Sequence, residues 1–217
     1  MPAIQGRVAV KNYPHKIMQS FIQLLSEELI PDERKSRLLP FIQYLQEKRA
    51  HKADINLNFI CTHNSRRSQF AQVWCAALAQ HFDLKLNCFS GGTERTAVYP
   101  EVLNSLESFG FKVKRNVGEN PHHLVQVSTS TSLILFSKRF NDEVNPKKDF
   151  AALMTCSDAD ENCPFIPGCE LRLALNYSDP KRFDGSPIEA SMYNARSWQI
   201  ASEFFYVFQT LKHSEND

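Results

Sequence analysis

The residues with the clearest chemical potential are Cys61 and Arg67, which are separated by five residues, with Ser68 next. An apolar-rich run over residues 55–60 predicts a buried strand that ends at Cys61, and a helical pattern begins near Arg67 or Ser68. Such a turn directs backbone N–H groups and the positive end of a helix dipole at one point, where a tetrahedral oxyanion fits. A guanidinium can hold two of its oxygens, and the same field favours a thiolate. The pattern predicts an oxyanion loop with a cysteine nucleophile, against the alternative of a buried structural cysteine.

The residues between the strand and the helix should surround the anion. Asn64 suits the left-handed backbone position that a tight anion loop often needs, and Ser68 could donate a hydrogen bond to the thiolate. Arg66 is one residue too early for the guanidinium position, so we interpret it as a surface or substrate-rim charge. The predicted oxyanion-binding residues are Thr62, His63, Asn64, Ser65, Arg66, Arg67 and Ser68.

A second group of cysteines follows later in the chain. Cys156 and Cys163 have six residues between them, and Ser157 with the acids after it favours a helix N-terminus. Seven helical steps rise about 10 Å, whereas a disulfide needs the two Cα atoms within about 7 Å. The pair can therefore be thiols on a helix or a disulfide on an unwound segment. Oxidation would be coupled to unwinding of the helix, as in a redox switch. Structural zinc with Cys169 as a third ligand, and three incidental thiols, are the alternatives; the spacing lacks the Cys-x2-Cys pairs of zinc sites.

An acidic residue completes the candidate chemistry. Asp179 precedes Pro180, which holds it extended, and it follows a strand-like run over residues 171–175. A carboxyl group placed over an oxyanion site can protonate a leaving oxygen. An Asp-Pro pair alone would indicate only a turn.

Strands and helices must alternate to position these residues. Strand patterns near residues 84–89, 133–136 and 150–154 and a long closing helix over 187–211 predict a parallel sheet with helices on both faces. Ligands of such sheets bind beyond the carboxyl ends of the strands, where Cys61 and Cys156 fall. Gly91 and Gly92 should allow close backbone approach or a positive φ. Residues 116–132 look like a loop, and within it we expect His122 and His123 to be surface residues rather than metal ligands.

Residues 1–52 differ from the remainder of the chain. They carry two helical stripes, separated by Pro31 and Asp32, and predict a helical extension before a catalytic domain over 53–217. We favour packing of this extension on the main domain over a dimerisation or partner-docking arm. A homodimer through the extension is the corresponding partner prediction. The apolar residues of the two stripes are Ile17, Phe21, Leu24 and Leu25, then Leu38, Phe41, Ile42 and Leu45.

Composition narrows the functional classes. The 217 residues are 42% hydrophobic and 23% charged with a formal net charge of +1, so there is no bulk electrostatic case for nucleic acid. No apolar run approaches the roughly 20 residues that span a bilayer, and the first residues lack a secretory core. Six cysteines without an export signal predict a reducing cytoplasmic location.

The motifs together resemble one known family. Residues 61–69, Cys-Thr-His-Asn-Ser-Arg-Arg-Ser-Gln, resemble the loop of low-molecular-weight protein-tyrosine phosphatases and of thioredoxin-coupled arsenate reductases, which share one fold. Residues 155–164, Thr-Cys-Ser-Asp-Ala-Asp-Glu-Asn-Cys-Pro, resemble the reductase branch, and Ser90-Gly-Gly-Thr-Glu94 and Ser178-Asp-Pro180 also match. The resemblance covers about residues 53–212 and implies a four-stranded parallel sheet flanked by helices.

The resemblance also implies a reaction. Cys61 would attack arsenate held by the loop amides and Arg67, with Asp179 as general acid. Cys156 would then attack Cys61 and release arsenite, and Cys163 would attack Cys156 to leave a disulfide for thioredoxin to reduce. We therefore predict an arsenate reductase with no cofactor. The alternatives are a phosphatase that forms a phosphocysteine at Cys61, and an oxyanion- or redox-sensing protein without turnover that docks partners through residues 1–52.

Three positions depart from the family pattern. His63 stands where the loop usually has glycine, and Arg66 replaces the second loop cysteine that is common in both branches. The acidic position that is associated with potassium in some reductases corresponds to Gln72, so no potassium site is carried over.

Overall fold

Two sheets organise the described part of the chain, residues 16–25, 30–163 and 165–214 of a computed structural model. The strands are β1 (Asn56–Cys61), β2 (Asn87–Gly92), β3 (Lys112–Lys114), β4 (His123–Gln126), β5 (Ser132–Leu135), β6 (Phe150–Met154) and β7 (Cys169–Ala174). The main sheet is parallel with the strand order β2-β1-β6-β7, and the second sheet is antiparallel with the order β3-β4-β5. The helices are α1 (Lys16–Leu25), α2 (Asp32–Ala50), α3 (Arg67–His81), α4 (Pro100–Ser108), α5 (Ser157–Asn162) and α6 (Glu189–His213), with a 3₁₀ turn at Pro180–Phe183. The predicted α/β fold with a four-stranded parallel sheet is confirmed.

The central strand β1 divides the interior into two apolar layers because successive side chains of a strand point to opposite faces. Leu57 and Phe59 pack into the larger layer, which the helices α2, α3, α4 and α6 cover. Ile60 packs into the smaller layer with Met154, Cys156 and neighbouring residues under α5. Every residue of β6 is buried, as expected for a strand covered on both sides. Cys61 and Cys156 therefore emerge at the same carboxyl edge of the sheet.

Residues 116–132 are not a continuous loop, so this prediction was wrong. His123–Gln126 form β4, which pairs with β3 on one side and β5 on the other. His123 is buried on this strand and its Nδ1 accepts a hydrogen bond from the Asn116 N–H at 3.2 Å. Burial lowers the pKa of His123, which keeps the imidazole neutral and able to accept that bond. A four-residue strand that is stabilised by its two neighbours leaves too little local pattern to be recognised.

Several strands and helices begin or end a few residues away from their predicted boundaries. The strand predicted at 84–89 lies at Asn87–Gly92, so Gly91 and Gly92 are part of β2. The closing helix, predicted at 187–211, is α6 over Glu189–His213. No helix among the described residues has the length and apolarity to cross a membrane.

The two predicted N-terminal helices are present as α1 and α2, and Pro31 stands directly before α2. Leu38, Phe41 and Leu45 are fully buried in the same apolar cluster as residues of α6, so α2 packs on the main sheet domain. Leu24 of the first stripe is half exposed instead. Residues 1–15 and 26–29 and the side chain of Ile17 lie outside the described residues, and the domain boundary at residue 52 stays a prediction.

Candidate active site

The loop between β1 and α3 turns its carbonyl groups outward. Since the C=O and N–H of a trans peptide point in opposite directions, this orientation leaves the N–H groups facing the interior of the loop. These inward N–H groups, together with the first turn of α3, make the interior of the loop the candidate oxyanion site. The carbonyl acceptors and their donors are Cys61 with Thr93 N (3.1 Å), Thr62 with Glu94 N (2.8 Å), His63 with Ser137 Oγ (2.8 Å), Asn64 with Gln69 Nε2 (2.8 Å) and Ser65 with Tyr99 N (3.1 Å).

The conformation of this loop depends on one asparagine and one glycine. Asn64 has φ 47°, which confirms the left-handed position predicted for it. A Cβ atom on Gly92 would lie 2.6 Å from Thr62 O and 2.8 Å from Asn64 N, so only glycine permits this approach of β2 to the loop. The end of β2 therefore packs directly against the loop that follows β1.

A hydrogen-bond chain leads from the loop to the cysteine. Cys61 Sγ lies 3.1 Å from Ser68 Oγ, and Asn64 Nδ2 donates to the same Oγ at 2.8 Å. The backbone N–H of Lys138 donates to Asn64 Oδ1 at 3.0 Å, which fixes the orientation of the amide. Because Ser68 Oγ already accepts a hydrogen bond, its own hydrogen is free to point at the sulfur. The serine hydroxyl is thus positioned to stabilise a thiolate at Cys61.

Arg67 faces the loop from the first turn of α3 and is only 7% exposed. Its Nη1 donates to Tyr177 O at 2.9 Å, and its Nη2 donates to Asp179 Oδ2 at 2.5 Å. The Nε atom is buried and has no hydrogen-bond partner among the described residues. A buried N–H without a partner is costly, so this atom is a ready donor to a bound oxyanion. Asp179 Oδ1 also accepts from the Lys181 N–H at 3.0 Å, which holds the carboxyl group beside the guanidinium.

Arg66 was interpreted from the sequence as a surface or substrate-rim charge, and the structure shows that it is not a free surface charge. Its side chain is 12% exposed, pairs with Asp184 at 2.5 Å and donates to Tyr193 Oη at 2.5 Å. Its guanidinium also stacks on the ring of Tyr99, 4.0 Å from the centroid. Arg66 does line the wall of a cleft of about 330 Å³ next to the loop, and its place on a substrate rim stays a prediction.

His63 shares that cleft with Lys181 and several residues of the segment before α4. Its Nε2 lies 3.3 Å from Glu94 Oε2, and its side chain is partly exposed. The histidine that replaces the usual glycine therefore points to the outer rim, whereas its carbonyl takes part in the loop framework.

Cys156 lies at the edge of the oxyanion loop. It is fully buried at the N-terminus of α5, and its Sγ is 3.5 Å from Thr62 Oγ1 and 3.4 Å from the Ala159 N–H that donates to it. Burial raises the pKa of the Cys156 thiol, while the charge of Arg67 acts in the opposite direction. A second thiol thus stands next to the loop that carries Cys61.

Cys163 lies at the other end of α5 and is partly exposed. Its Sγ is 3.8 Å from Phe165 O, and burial raises the pKa of this thiol as well. Arg172 of β7 fastens this end of the helix, donating to Cys163 O at 3.2 Å and to Asp160 O at 2.6 Å and pairing with the Asp160 carboxylate at 2.7 Å. All six cysteines are free thiols, so α5 is in the helical form of the predicted switch.

The zinc alternative has no support in the described ranges, which contain no group of three or more histidine, cysteine or acidic side chains that could hold a metal ion. Cys169 packs against the smaller apolar layer together with Cys163.

Several contributors to this site were not predicted from the sequence. Tyr177 binds Arg67 and Lys138 binds Asn64, both through backbone atoms that no side-chain pattern marks. Glu203 of α6, a buried carboxylate that accepts a hydrogen bond from the Tyr177 hydroxyl at 2.9 Å, was not predicted either.

No protein-family model matches this chain. Curated relatives include arsenate reductase 2 of Staphylococcus epidermidis, 27% identical over 122 residues that cover 56% of this chain and 76% of the relative. Arsenate reductase 1 of the same species is 28% identical over 131 residues, covering 60% and 82%.

Solved structures agree on the fold. A mutant of YwlE from Bacillus subtilis has a TM-score of 0.50 at 14% identity and covers 73% of this chain and 99% of its own. A low-molecular-weight protein-tyrosine phosphatase from Bacillus subtilis has a TM-score of 0.50 at 15% identity, covering 75% and 99%. The arsenate reductases among its relatives in sequence, together with the fold that it shares with low-molecular-weight phosphatases, support the resemblance to the family of arsenate reductases and low-molecular-weight protein-tyrosine phosphatases.

Proposed function

We propose that this protein is an arsenate reductase with a phosphatase-like first step. The observation that carries the proposal is the position of Cys156, whose buried sulfur lies 3.5 Å from the Thr62 hydroxyl at the edge of the Cys61 loop. A phosphatase needs one thiol at this place, whereas a thiol relay needs a second thiol within reach of the first. The curated relatives named arsenate reductases support the same choice.

In the proposed first step, the Cys61 thiolate attacks the arsenic atom of arsenate. The inward loop N–H groups and Arg67 Nε hold the oxyanion, and the S–As bond forms as an As–O bond breaks. Asp179, in its protonated form, gives a proton to the departing oxygen, which leaves as water. The Asp179 carboxyl has to exchange its contact with Arg67 for the leaving oxygen during this step.

The next two steps first reduce arsenic and then move the disulfide outward. The Cys156 thiolate attacks Cys61 Sγ and forms a Cys61–Cys156 disulfide, while the S–As electron pair passes to arsenic, so that arsenic(V) leaves as arsenite, arsenic(III). The Cys163 thiolate then attacks Cys156 Sγ, which frees the Cys61 thiolate and leaves a disulfide between Cys156 and Cys163. A dithiol reductant of the thioredoxin class restores the two thiols. Closing this disulfide requires α5 to unwind, since its helical form separates the ends of the segment.

A phosphatase is the second candidate, and the cleft beside the loop is the observation that favours it. Arsenate is small and needs no leaving-group channel, yet a cleft of about 330 Å³ adjoins the loop at His63, Arg66 and Tyr99. In that reaction Cys61 would form a phosphocysteine, Asp179 would protonate the leaving alcohol, and water would complete the hydrolysis. Cys156 and Cys163 would have no part in it.

One set of variants separates the candidates. Arsenate reduction in the presence of thioredoxin and hydrolysis of p-nitrophenyl phosphate are measured for the wild type, Cys61→Ser and Cys156→Ser, with Cys169→Ser as a matched thiol control. We expect Cys61→Ser to lose both activities, Cys156→Ser to lose only arsenate reduction, and Cys169→Ser to keep both. Unchanged arsenate reduction in Cys156→Ser would contradict the relay, and oxyanion binding without either activity would favour a sensor.

We also propose a reducing cytoplasmic setting, which the three-thiol relay requires. A homodimer through residues 1–52 remains a separate proposal, and sedimentation of the full chain over a range of concentrations tests it.

A further inference from the structure

Helix α2 reaches the segment that carries the proposed general acid. Arg34 donates from Nη1 to Leu175 O at 2.7 Å, at the end of β7. Its Nε and Nη2 form a two-point contact with the carboxylate of Glu203 on α6, at 2.8 and 2.6 Å. The two side chains are 14% and 2% exposed, so the pair is almost entirely removed from water. Three directed bonds from one guanidinium thus tie α2 to both β7 and α6.

The same carboxylate holds the next part of the segment. Tyr177 donates from its hydroxyl to Glu203 Oε2 at 2.9 Å, and the Arg34 guanidinium stacks over the Tyr177 ring at 5.1 Å. Gln199 Nε2 also donates to Glu203, at 3.0 Å, so the carboxylate accepts from three side chains. Burial raises the pKa of Tyr177, which keeps its hydroxyl protonated and able to donate.

Tyr177 connects this cluster to the site. Its carbonyl accepts from Arg67 Nη1 at 2.9 Å, and two residues later Asp179 accepts from Nη2 of the same guanidinium. Between Leu175, whose carbonyl Arg34 contacts, and Tyr177, the chain passes through Asn176, which has φ 45° and so lies in the left-handed region. Residues 175–179 are therefore held on one side by α2 and α6 and on the other by Arg67.

We propose that Arg34 is a positioning residue for the oxyanion site. Through Leu175 O and the Glu203–Tyr177 pair, it sets where Tyr177 O and Asp179 stand relative to Arg67. It thereby aligns both the guanidinium that binds the anion and the carboxyl group that protonates the leaving oxygen. Arg34 lies before residues 53–212, the stretch that resembles the family, so the extension contributes to the site itself. The inference rests on the proposed oxyanion chemistry at Cys61 but not on whether arsenate or a phosphoester is the substrate.

The leaving group distinguishes positioning from simple support. A poor leaving group such as phenolate depends on the general acid, whereas p-nitrophenolate departs with little help. Loss of folded protein lowers kcat/KM by the same factor for both aryl phosphates. Displacement of Asp179 lowers it far more for phenyl phosphate, and kcat/KM reports the steps through departure of the phenol.

The variants are Arg34→Lys, Arg34→Ala and the double change Arg34→Met with Glu203→Gln, which removes both buried charges together. Arg37→Ala is the matched control, because Arg37 lies on the same helix and makes only an exposed pair with Glu33. We expect the Arg34 variants to lose about tenfold in kcat/KM for phenyl phosphate and less than about threefold for p-nitrophenyl phosphate, which is below the roughly hundredfold or larger effect of general acid catalysis because Asp179 is displaced rather than removed. Arg37→Ala should leave both values unchanged. Equal losses on the two substrates in folded variants would overturn the inference.

A binding measurement makes the test independent of turnover. Inorganic phosphate should protect Cys61 of the wild type from iodoacetamide, and the Arg34 variants should need several-fold more phosphate for the same protection. Protection that is unchanged in folded Arg34 variants would overturn the positioning role while leaving the proposed function intact. If phosphate does not protect Cys61 of the wild type from iodoacetamide, that result would refute the oxyanion site and the inference that rests on it.

Discussion

Removing the Ser68 hydroxyl should make Cys61 a weaker nucleophile at neutral pH. In Ser68→Ala the sulfur loses the hydroxyl that lies 3.1 Å away, and Asn64 Nδ2 loses the acceptor that it contacts at 2.8 Å. A hydrogen bond to a charged group is worth about 1.5–3 kcal/mol. Since about 1.4 kcal/mol is a factor of ten in an equilibrium constant, the ratio of thiolate to thiol at Cys61 should fall roughly ten- to a hundredfold.

The rate of iodoacetamide alkylation at Cys61, followed by mass spectrometry from pH 5 to 10, measures this population directly. We expect Ser68→Ala to react more slowly than the wild type at neutral pH. Ser68→Thr retains a hydroxyl and should recover most of the rate. Ser105→Ala removes another buried hydroxyl, on α4, and serves as the control for loss of a serine. A Ser68→Ala profile identical to that of the wild type would refute the hydrogen-bond chain.

Two further predictions concern helix α5, which Arg172 contacts, and the buried Lys138. Arg172→Ala should destabilise the end of α5, because it removes the donors to the carbonyl groups of Asp160 and Cys163. The backbone amides of residues 157–163 should then exchange with deuterium faster than in the wild type. Unchanged exchange would show that this arginine does not hold the helix. Lys138 is buried, and burial lowers its pKa to about 8 from 10.5, with Asp142 partly opposing the shift. Because the unfolded state binds more protons between these values, the free energy of unfolding should rise from pH 8 to 10.5, by no more than about 3 kcal/mol from this residue. Lys138→Met should flatten that rise in denaturant titrations, and an unaltered slope would contradict the burial argument.

The local part of the site could be predicted from the sequence. A strand, a short polar loop and a helix start are encoded by neighbouring residues, so Cys61, Ser68 and the left-handed Asn64 were found in their expected relation. Gly92 was predicted to permit close approach, and the Thr62 carbonyl oxygen indeed lies only 2.6 Å from where a Cβ atom on this residue would be. The strand β4 was missed because four residues of mixed polarity become a strand only between two partners.

The side chains that carry the proposed chemistry could be recognised from the amino-acid sequence alone: a cysteine, an arginine and a serine at fixed spacing, further cysteines after another strand, and an acid held before proline. The tertiary structure decided what holds these groups in place, namely Arg34 against Glu203, which lies 169 positions along the chain, and Tyr177 O against Arg67, 110 positions away. The physical reason is that side-chain types are written in the sequence, whereas every residue has a carbonyl group. Which carbonyl accepts a given bond, and which distant charges meet away from water, is settled only when the helices pack on the sheet.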